Sequence, residues 1–221
     1  MKKDRVSRFL TLSFIANVVA VTNLTSISLA VEPITAFSVI NEIEVKGRAP
    51  KTGYSRAQFP HWSDPDRNGC DSRNDILKRD LKIVVFKSGT GNCKVISGQL
   101  QDPFSGKLLQ FDLNLAASNI DIDHVVSLSN AWQTGAAYFD KERRQMFAND
   151  PLNLLAVDAR LNRQKGDGDA ATWLPPTKGF RCEYVARQVA VKYKYKLWIT
   201  PPEKSAIIKI LDKCKDQKIP Q

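Results

Sequence analysis

The chain of 221 residues contains only two histidines and four cysteines, and no two of the cysteines lie close together in the sequence. This spacing disfavours a zinc site made of four thiolates, because such sites usually take their ligands from C-x-x-C pairs. An even number of cysteines in an exported chain is instead typical of disulfide bonds. Three pairings are formally open, and we favour Cys70–Cys93 and Cys182–Cys214 because each joins neighbouring segments.

The chain also lacks an apolar run as long as a transmembrane helix needs, which is about 20 residues. The run Phe9–Val21 is shorter, and polar residues dilute its end. It follows a basic start and precedes Ser28–Ala30, which has the small-x-small form of a signal-peptidase site. An uncleaved membrane anchor is the alternative. The short run favours a signal peptide at residues 1–30 and an exported protein, either secreted or periplasmic.

No internal repeat and no long linker interrupts the rest of the chain, so we predict that residues 31–221 form a single domain. The formal net charge of the whole chain is +10. Removal of residues 1–30 takes away four basic residues and one acidic residue, which leaves a formal net charge of +7. A basic exported domain suits a polyanionic partner, either a nucleic acid or an anionic surface.

Hydrophobic patterns predict a mixture of strands and helices, and hence an α+β protein. Strands are predicted at residues 82–86, 93–100, 107–115, 120–126 and 153–159. Helices are predicted from about Ser72, at residues 127–134 and 140–149, from about Arg160 to Gly166 or Gly168, and in two segments of the C-terminal part. Asp140 and Thr200 stand at positions typical of helix N-caps.

Two segments contain the residue types of a hydrolytic site. The first reads DIDHVV and places one of the two histidines, His124, directly after Asp123. The second reads NLLAVDARLNRQKGD; it opens with Asn153 and has Asn162 nine residues later. Adjacent residues on a strand point to opposite faces. Asp123 and His124 can therefore share one site only if the strand bends or ends there.

Together these segments resemble the HNH, or ββα-metal, nuclease motif, in which a helix packs across two paired strands. The likeness extends over about residues 60–214, through NGCDSRNDILKRDL, DPFSG, FAND and WLPP, and is greatest to small secreted bacterial HNH endonucleases. It implies a ββα-metal core at about residues 118–170, with an added β-hairpin and C-terminal helices, stabilised by disulfides.

The resemblance implies roles for the residues of the motif. His124 would be the general base that takes a proton from the attacking water, since a histidine with a pKa of about 6.5 is abundant in its neutral form at working pH. Asp123 and Asn162 would hold one divalent cation through oxygen ligands, with Mg²⁺ expected and Mn²⁺ as the alternative. Asn153 would brace the following loop and keep His124 aimed.

Three basic residues would contact phosphate. Lys165 and Arg163 are predicted to bind the substrate backbone, and Arg73 is predicted to act as a cation near the transition state. Each prediction has a structural alternative. Lys165 and Arg163 would then belong to a solvated basic face, His124 to the core and Asn153 to a turn. The joint spacing of the motifs favours the functional interpretation of His124.

A second cation site is predicted in the segment DPDRNGCDSRND. Asp64, Asp66, Asn68 and Asp75 stand at the first, third, fifth and twelfth positions of an EF-hand-like calcium loop. The last position lacks the usual glutamate, and no helix is predicted before Asp64. The alternative is a polar turn that positions Cys70.

The sequence thus predicts an exported, metal-dependent endonuclease that cleaves DNA, and it leaves cleavage of RNA open. Little sequence preference is expected, because no recognition helix or repeat module is evident. The alternatives are a catalytically inactive, basic nucleic-acid-binding protein and a delivered toxin. We expect no stable membrane association after signal cleavage, and no protein partner is evident.

Overall fold

The computed structural model describes residues 34–115 and 118–220, so the predicted signal peptide at residues 1–30 lies outside the described residues. The helices of the described part are α1 (Ala36–Val39), α2 (Ser72–Asp80), α3 (Leu128–Gln133), α4 (Lys141–Asn149), α5 (Ala159–Lys165), α6 (Arg181–Tyr195) and α7 (Pro201–Leu211). Its strands are β1 (Lys82–Phe86), β2 (Val95–Gln101), β3 (Leu108–Asp112), β4 (Ile120–His124) and β5 (Leu154–Asp158). The protein is of the α+β class. None of these helices has the length and hydrophobicity that crossing a membrane requires.

The first three strands form an antiparallel sheet in the order β1–β2–β3. β2 and β3 make the predicted hairpin, with Gln101 opposite Leu108. β1 pairs with the other edge of β2, where Lys82 lies opposite Gln99. The predicted hairpin is present, and the predicted strand at residues 82–86 extends it to three strands. β2 has backbone hydrogen-bonding groups on both edges, and the β-branched residues of β1 suit the pairing that satisfies the second edge.

β4 and β5 form a separate antiparallel pair that ends with His124 opposite Leu154. α5 follows β5 directly, because the Asp158 side chain accepts a hydrogen bond from the backbone N–H of Leu161 and caps the helix. The helix ends at Gly166, whose φ of 51° is one that glycine adopts without steric cost. The DIDHVV segment thus lies at the end of β4, which pairs with β5, and the NRQKGD segment lies at the end of α5.

Both faces of the β4–β5 pair are buried. Ile122 and Ala156 pack into a core shared with α2 and the three-stranded sheet. Leu155 and Val157 pack into a second core shared with α1, α6 and α7. Burial on both faces explains why β5 is an almost continuous apolar run rather than an alternating one. Because the pair is fixed from two sides, the polar residues at its end have defined positions.

Disulfides and helix caps fix the remaining elements. Cys70–Cys93 joins the start of α2 to the loop before β2, and Cys182–Cys214 joins α6 to the segment after α7. These are the pairings that the sequence favoured. The predicted N-caps are also present: Asp140 caps α4, and Thr200 forms a capping box at the start of α7.

Candidate active site

The end of β4 lies at the floor of a cleft of about 240 Å³. Four of the predicted site residues line it: Asp123, His124, Asn162 and Arg163. β4 ends at His124, and the chain leaves the strand pairing at the next residue. Both residues line the same cleft, at the strand end where the sequence required a shared site to lie.

The ring of His124 is held in one tautomer. Its Nε2 atom lies 2.8 Å from the backbone oxygen of Ala148. A carbonyl oxygen only accepts hydrogen bonds, so Nε2 carries the proton and donates it, which leaves a lone pair on Nδ1. The pKa of His124 is lowered to about 3, chiefly by burial; the hydrogen bond to Ala148 acts to raise it, and the positive charge of Arg56 acts to lower it. The histidine is therefore neutral at working pH, as a base must be.

Asp123 is buried beside the histidine and has one free oxygen. Its Oδ1 atom accepts a hydrogen bond of 2.8 Å from Lys165 Nζ, whereas Oδ2 has no partner within residues 34–115 and 118–220. Burial raises the pKa of Asp123, and the charge and hydrogen bond of Lys165 act in the opposite direction. An unpaired carboxylate oxygen in a buried position is costly unless a ligand binds it.

The donor set of the cleft fits a hard divalent cation. Asp123 Oδ2 is unpaired, and the half-buried side chain of Asn162 makes no hydrogen bond to the described part of the chain. Both are oxygen donors, which Mg²⁺ prefers over sulfur and nitrogen. No group of three or more His, Cys, Asp or Glu side chains in that part is arranged to hold a metal. A cation bound by Asp123 and Asn162 would accordingly keep several water ligands, as Mg²⁺ commonly does.

Asn153 is fully buried and clamps the turn that follows His124. Its Oδ1 atom accepts a hydrogen bond of 2.8 Å from the backbone N–H of Val126, and its Nδ2 atom donates to the carbonyl of the same residue at 3.2 Å. Its own carbonyl accepts from Val125 at 2.8 Å. These contacts fit the bracing role that the resemblance implied, since they fix the backbone directly after the histidine.

Lys165 occupies a position that differs from the expectation. Its side chain is fully buried, and its ammonium donates to Asp123 Oδ1 and to the backbone oxygen of His124, each at 2.8 Å. An ammonium enclosed in this way does not reach a substrate phosphate. The buried carboxylate of Asp123 draws the lysine inward, because an unpaired charge there would be far less stable.

Of the other two residues predicted to contact phosphate, one lines the cleft and one does not. Arg163 is exposed at the cleft, with its guanidinium 3.9 Å from Asp121. Arg73 does not line the cleft; its guanidinium lies 6.0 Å from the centre of the Trp62 ring. That ring in turn lies 5.8 Å from the ring of His124.

Comparison with known proteins identifies the family to which the chain belongs. A family model for the C-terminal domain of GmrSD restriction endonucleases matches residues 71–210, more than half of the chain. The match contains Asp123, His124 and Asn162. The chain belongs to this family.

The GmrSD C-terminal family is of the nuclease type, in agreement with the expectation of a nuclease. A relative in Arthroderma benhamiae, described as an uncharacterized secreted protein, is 40% identical over 182 residues, which cover 81% of this chain and 85% of the relative. No solved structure matches the chain. The likeness to small bacterial nucleases stays a prediction.

Two residues of the cleft that sequence reasoning missed precede the segment matched to the GmrSD family. Tyr54 and Arg56 line the same cleft as His124, although they lie far from it in the sequence. No motif marks them. Ser127 and Asp167 also line the cleft; Ser127 caps α3, and Asp167 belongs to the KGD segment that the sequence singled out.

The predicted calcium loop also lies mostly before the matched segment, and its oxygens are largely engaged within the loop. Asp64 accepts hydrogen bonds from the backbone N–H groups of Asn68 and Gly69 at 3.0 and 2.9 Å. The Asn68 amide donates to Asp66 and Asp75 at 3.0 and 3.2 Å. The four predicted ligands are thus brought together. The binding of calcium there stays a prediction.

Proposed function

We propose that the protein is an exported, metal-dependent endonuclease of the HNH, or ββα-metal, type that hydrolyses phosphodiester bonds of DNA, with RNA as a second substrate. One observation carries this proposal: a neutral histidine with a lone pair on Nδ1 stands next to a buried carboxylate, one oxygen of which has no partner in the described part of the chain, and both residues line one cleft. Membership of the nuclease-type GmrSD C-terminal family supports the reaction class.

In the proposed reaction, His124 Nδ1 takes a proton from a water molecule while the water oxygen forms a bond to phosphorus. The bond from phosphorus to the 3′ oxygen breaks, which leaves a 5′-phosphate. A divalent cation held by Asp123 and Asn162 would supply positive charge that stabilises the transition state and the leaving oxygen. Asn153 keeps the backbone beside the histidine fixed, so the base does not have to be ordered during the reaction.

The low pKa of His124 is compatible with this role. A base is most effective when its pKa lies near the working pH. An anionic phosphodiester in the cleft favours the positively charged imidazolium and therefore raises the pKa of His124. The histidine would thus be neutral before the substrate binds and more basic once the substrate is in place.

Lys165 is proposed to act on Asp123 rather than on the substrate. Its two hydrogen bonds fix one carboxylate oxygen and leave the other directed to a cation. Its charge also favours the ionised form of Asp123, which is the form that binds metal.

Export is proposed from three observations. The relative in Arthroderma benhamiae is described as secreted. The chain begins with a basic and apolar segment typical of a signal peptide. The structure contains two disulfides, which persist in oxidising compartments. The protein would be secreted or periplasmic, with nucleic acid as its partner.

Plasmid digestion tests the proposal. Wild-type protein should nick and linearise plasmid with Mg²⁺, and excess EDTA should stop the reaction. His124→Ala should lower the rate by about 10²–10⁴-fold, as expected for loss of a general base. Arg160→Gln is the control, because Arg160 is exposed and does not line the cleft. An RNA substrate in a parallel digestion determines whether the cleft accepts both polymers.

Two outcomes would contradict the proposal. Cleavage that survives both EDTA and His124→Ala refutes the assigned mechanism. Binding of DNA without any cleavage, under each metal tried, would instead identify a nucleic-acid-binding protein with an inactive site. Circular dichroism of each variant shows whether the fold is intact.

A further inference from the structure

The cleft contains few free cations for an anionic substrate. Lys165 is buried and paired with Asp123. Of the two arginines that line the cleft, Arg163 lies 3.9 Å from the carboxylate of Asp121. The other, Arg56, is exposed and makes no salt bridge or side-chain hydrogen bond to the part of the chain that the structure describes. Arg56 is therefore the cleft cation whose charge is least compensated by the protein.

Arg56 begins a 3₁₀ turn, Arg56–Gln58, in a segment that pairs with acidic residues after α5. Lys51 forms an ion pair of 2.7 Å with Asp167, which itself lines the cleft. Arg48 pairs in the same way with the buried side chain of Asp169. Both partners lie just beyond α5, so two ion pairs attach this segment to the helix of the candidate site.

The segment is also fixed to α3. The backbone N–H of Ala49 donates to the carbonyl of Gln133 at 2.9 Å, and Trp132 Nε1 donates to the carbonyl of Thr52 at 3.3 Å. The ring of Tyr54 packs edge-on against Trp132, with the ring centres 6.0 Å apart. Residues 48–59 thus form a wall of the cleft with a defined position, although they precede the segment that matches the GmrSD family.

Arg56 lines the same cleft as His124, the candidate base. Its guanidinium presents several N–H donors in a planar fork that matches phosphate oxygens. An arginine in this position is suited to hold a phosphate next to the histidine.

We infer that Arg56 binds a backbone phosphate of the nucleic acid in the cleft, and that residues 48–59 are a substrate-binding wall added to the family domain. This inference rests on the proposed function and deepens it. It assigns to Arg56 the phosphate contact that the sequence had assigned to Lys165. Phosphodiester is the recognised chemistry, so DNA and RNA would both be bound through this contact.

Binding without cleavage tests the inference separately from the reaction. Fluorescence anisotropy with a short fluorescein-labelled DNA duplex in EDTA gives the affinity as a function of salt, and a labelled RNA of the same length forms a second arm. Each phosphate contact that is lost lowers the slope of log K against log salt concentration by about 1. Arg56→Gln should weaken binding several-fold and reduce the slope by this amount, whereas Arg56→Lys should keep the slope.

Arg160→Gln is the matched control, because Arg160 is an exposed arginine of α5 that does not line the cleft. It should bind as the wild type does. With Mg²⁺ added, Arg56→Gln should also cleave plasmid more slowly than Arg160→Gln does.

The possible outcomes distinguish a failure of the proposed function from a failure of the inference about Arg56. Wild-type protein that binds neither nucleic acid overturns the proposed function itself. Wild-type binding that Arg56→Gln leaves unchanged, in affinity and in salt slope, overturns the inference while the proposed function stands. Equal losses in Arg56→Gln and Arg160→Gln also overturn it, since they would show a general effect of surface charge.

Discussion

The cleft at the end of β4 and the loop at residues 64–75 both contain carboxylate and amide oxygens at spacings typical of cation sites, but their surroundings differ. In the cleft, Asp123 is buried, one of its oxygens is fixed by Lys165, and the other has no partner. In the loop, Asp64 and Asp66 accept hydrogen bonds from the loop itself. Spacing alone does not distinguish these two situations.

The difference lies in what each region loses without a cation. In the cleft, a buried oxygen of Asp123 has no partner in the described part of the chain, and this costs stability. The loop satisfies its carboxylates within itself and stays accessible to solvent at Asp66 and Asn68. A ligand therefore adds a missing interaction in the cleft, whereas in the loop it has to displace existing ones. The experiments below address this contrast, from the largest expected effect to the smallest.

The largest effect is expected from Lys165→Met, measured in EDTA. Removing one partner of a buried ion pair leaves the carboxylate of Asp123 uncompensated, and such changes cost about 3–5 kcal/mol of unfolding free energy. Urea unfolding with the disulfides intact measures the loss. Lys209→Met, on an exposed face of α7, is the control and should change stability by less than about 0.5 kcal/mol. A loss of less than about 1 kcal/mol for Lys165→Met would show that the pair contributes little to the cleft.

The second effect is a dependence of stability on pH that belongs to the cleft. The pKa of His124 in the folded state, about 3, lies below the value of about 6.5 for an unfolded chain. Stability from this residue is therefore complete above about pH 6.5 and is lost as the pH falls toward about 3, because the unfolded chain takes up a proton that the folded protein excludes. Between about pH 6.5 and 4.5, the unfolding free energy of the wild type should fall by about 2 kcal/mol more than that of His124→Gln.

The difference between the two proteins is what matters in that experiment, because Asp123 titrates in both. Urea unfolding in EDTA at a series of pH values gives the two curves. Parallel curves for wild type and His124→Gln would mean that the folded protein accepts a proton on His124 easily, and that the histidine is not held neutral by burial.

Much of the framework could be predicted from local signals. Asp140 and Thr200 cap the helices that the sequence assigned to them, and Gly166 ends α5. These features depend on a few neighbouring residues, so the sequence contains the information directly. The sequence showed that Asp123 and His124 could share a site only where the strand bends or ends. In the structure β4 ends at His124, and both residues line one cleft there.

The positions of Lys165 and Arg56 were not predicted, because they depend on contacts between distant segments of the chain. Lys165 stands in the last turn of a helix, where lysines are usually solvated, and only the fold brings it to the buried Asp123. Arg56 enters the cleft through ties to residues more than 100 positions away, such as the Lys51–Asp167 pair. No local sequence pattern predicts such a contact. The sequence predicted the strand at residues 82–86 but not its pairing with β2, because pairing across a loop depends on tertiary structure.

The third effect compares an asparagine from each region. Asn153→Ala leaves the buried N–H and C=O groups of Val126 without partners, which costs about 1–3 kcal/mol. Asn68→Ala removes two exposed hydrogen bonds and one half-buried bond accepted from the backbone N–H of Cys70, so its cost should stay within about 1 kcal/mol. Thermal unfolding of both variants in EDTA measures the difference. Equal losses would mean that the loop is as rigid and as buried as the cleft, contrary to the geometry.

The smallest effect is expected from calcium at the loop. Burial raises the pKa of Asp75, the Asn68 hydrogen bond lowers it, and the nearby charges of Asp66 and Asp64 raise it further, so a cation would relieve their mutual repulsion. Because Ca²⁺ must displace the internal hydrogen bonds, weak binding is expected, with Kd of about 10⁻⁴–10⁻³ M as in extracellular calcium modules. At roughly ten times Kd, binding adds about 1.4 kcal/mol to the stability. Asp66→Asn should abolish this gain and Asp123→Asn should keep it, while the opposite pattern would place the calcium in the cleft and leave the loop as a polar turn.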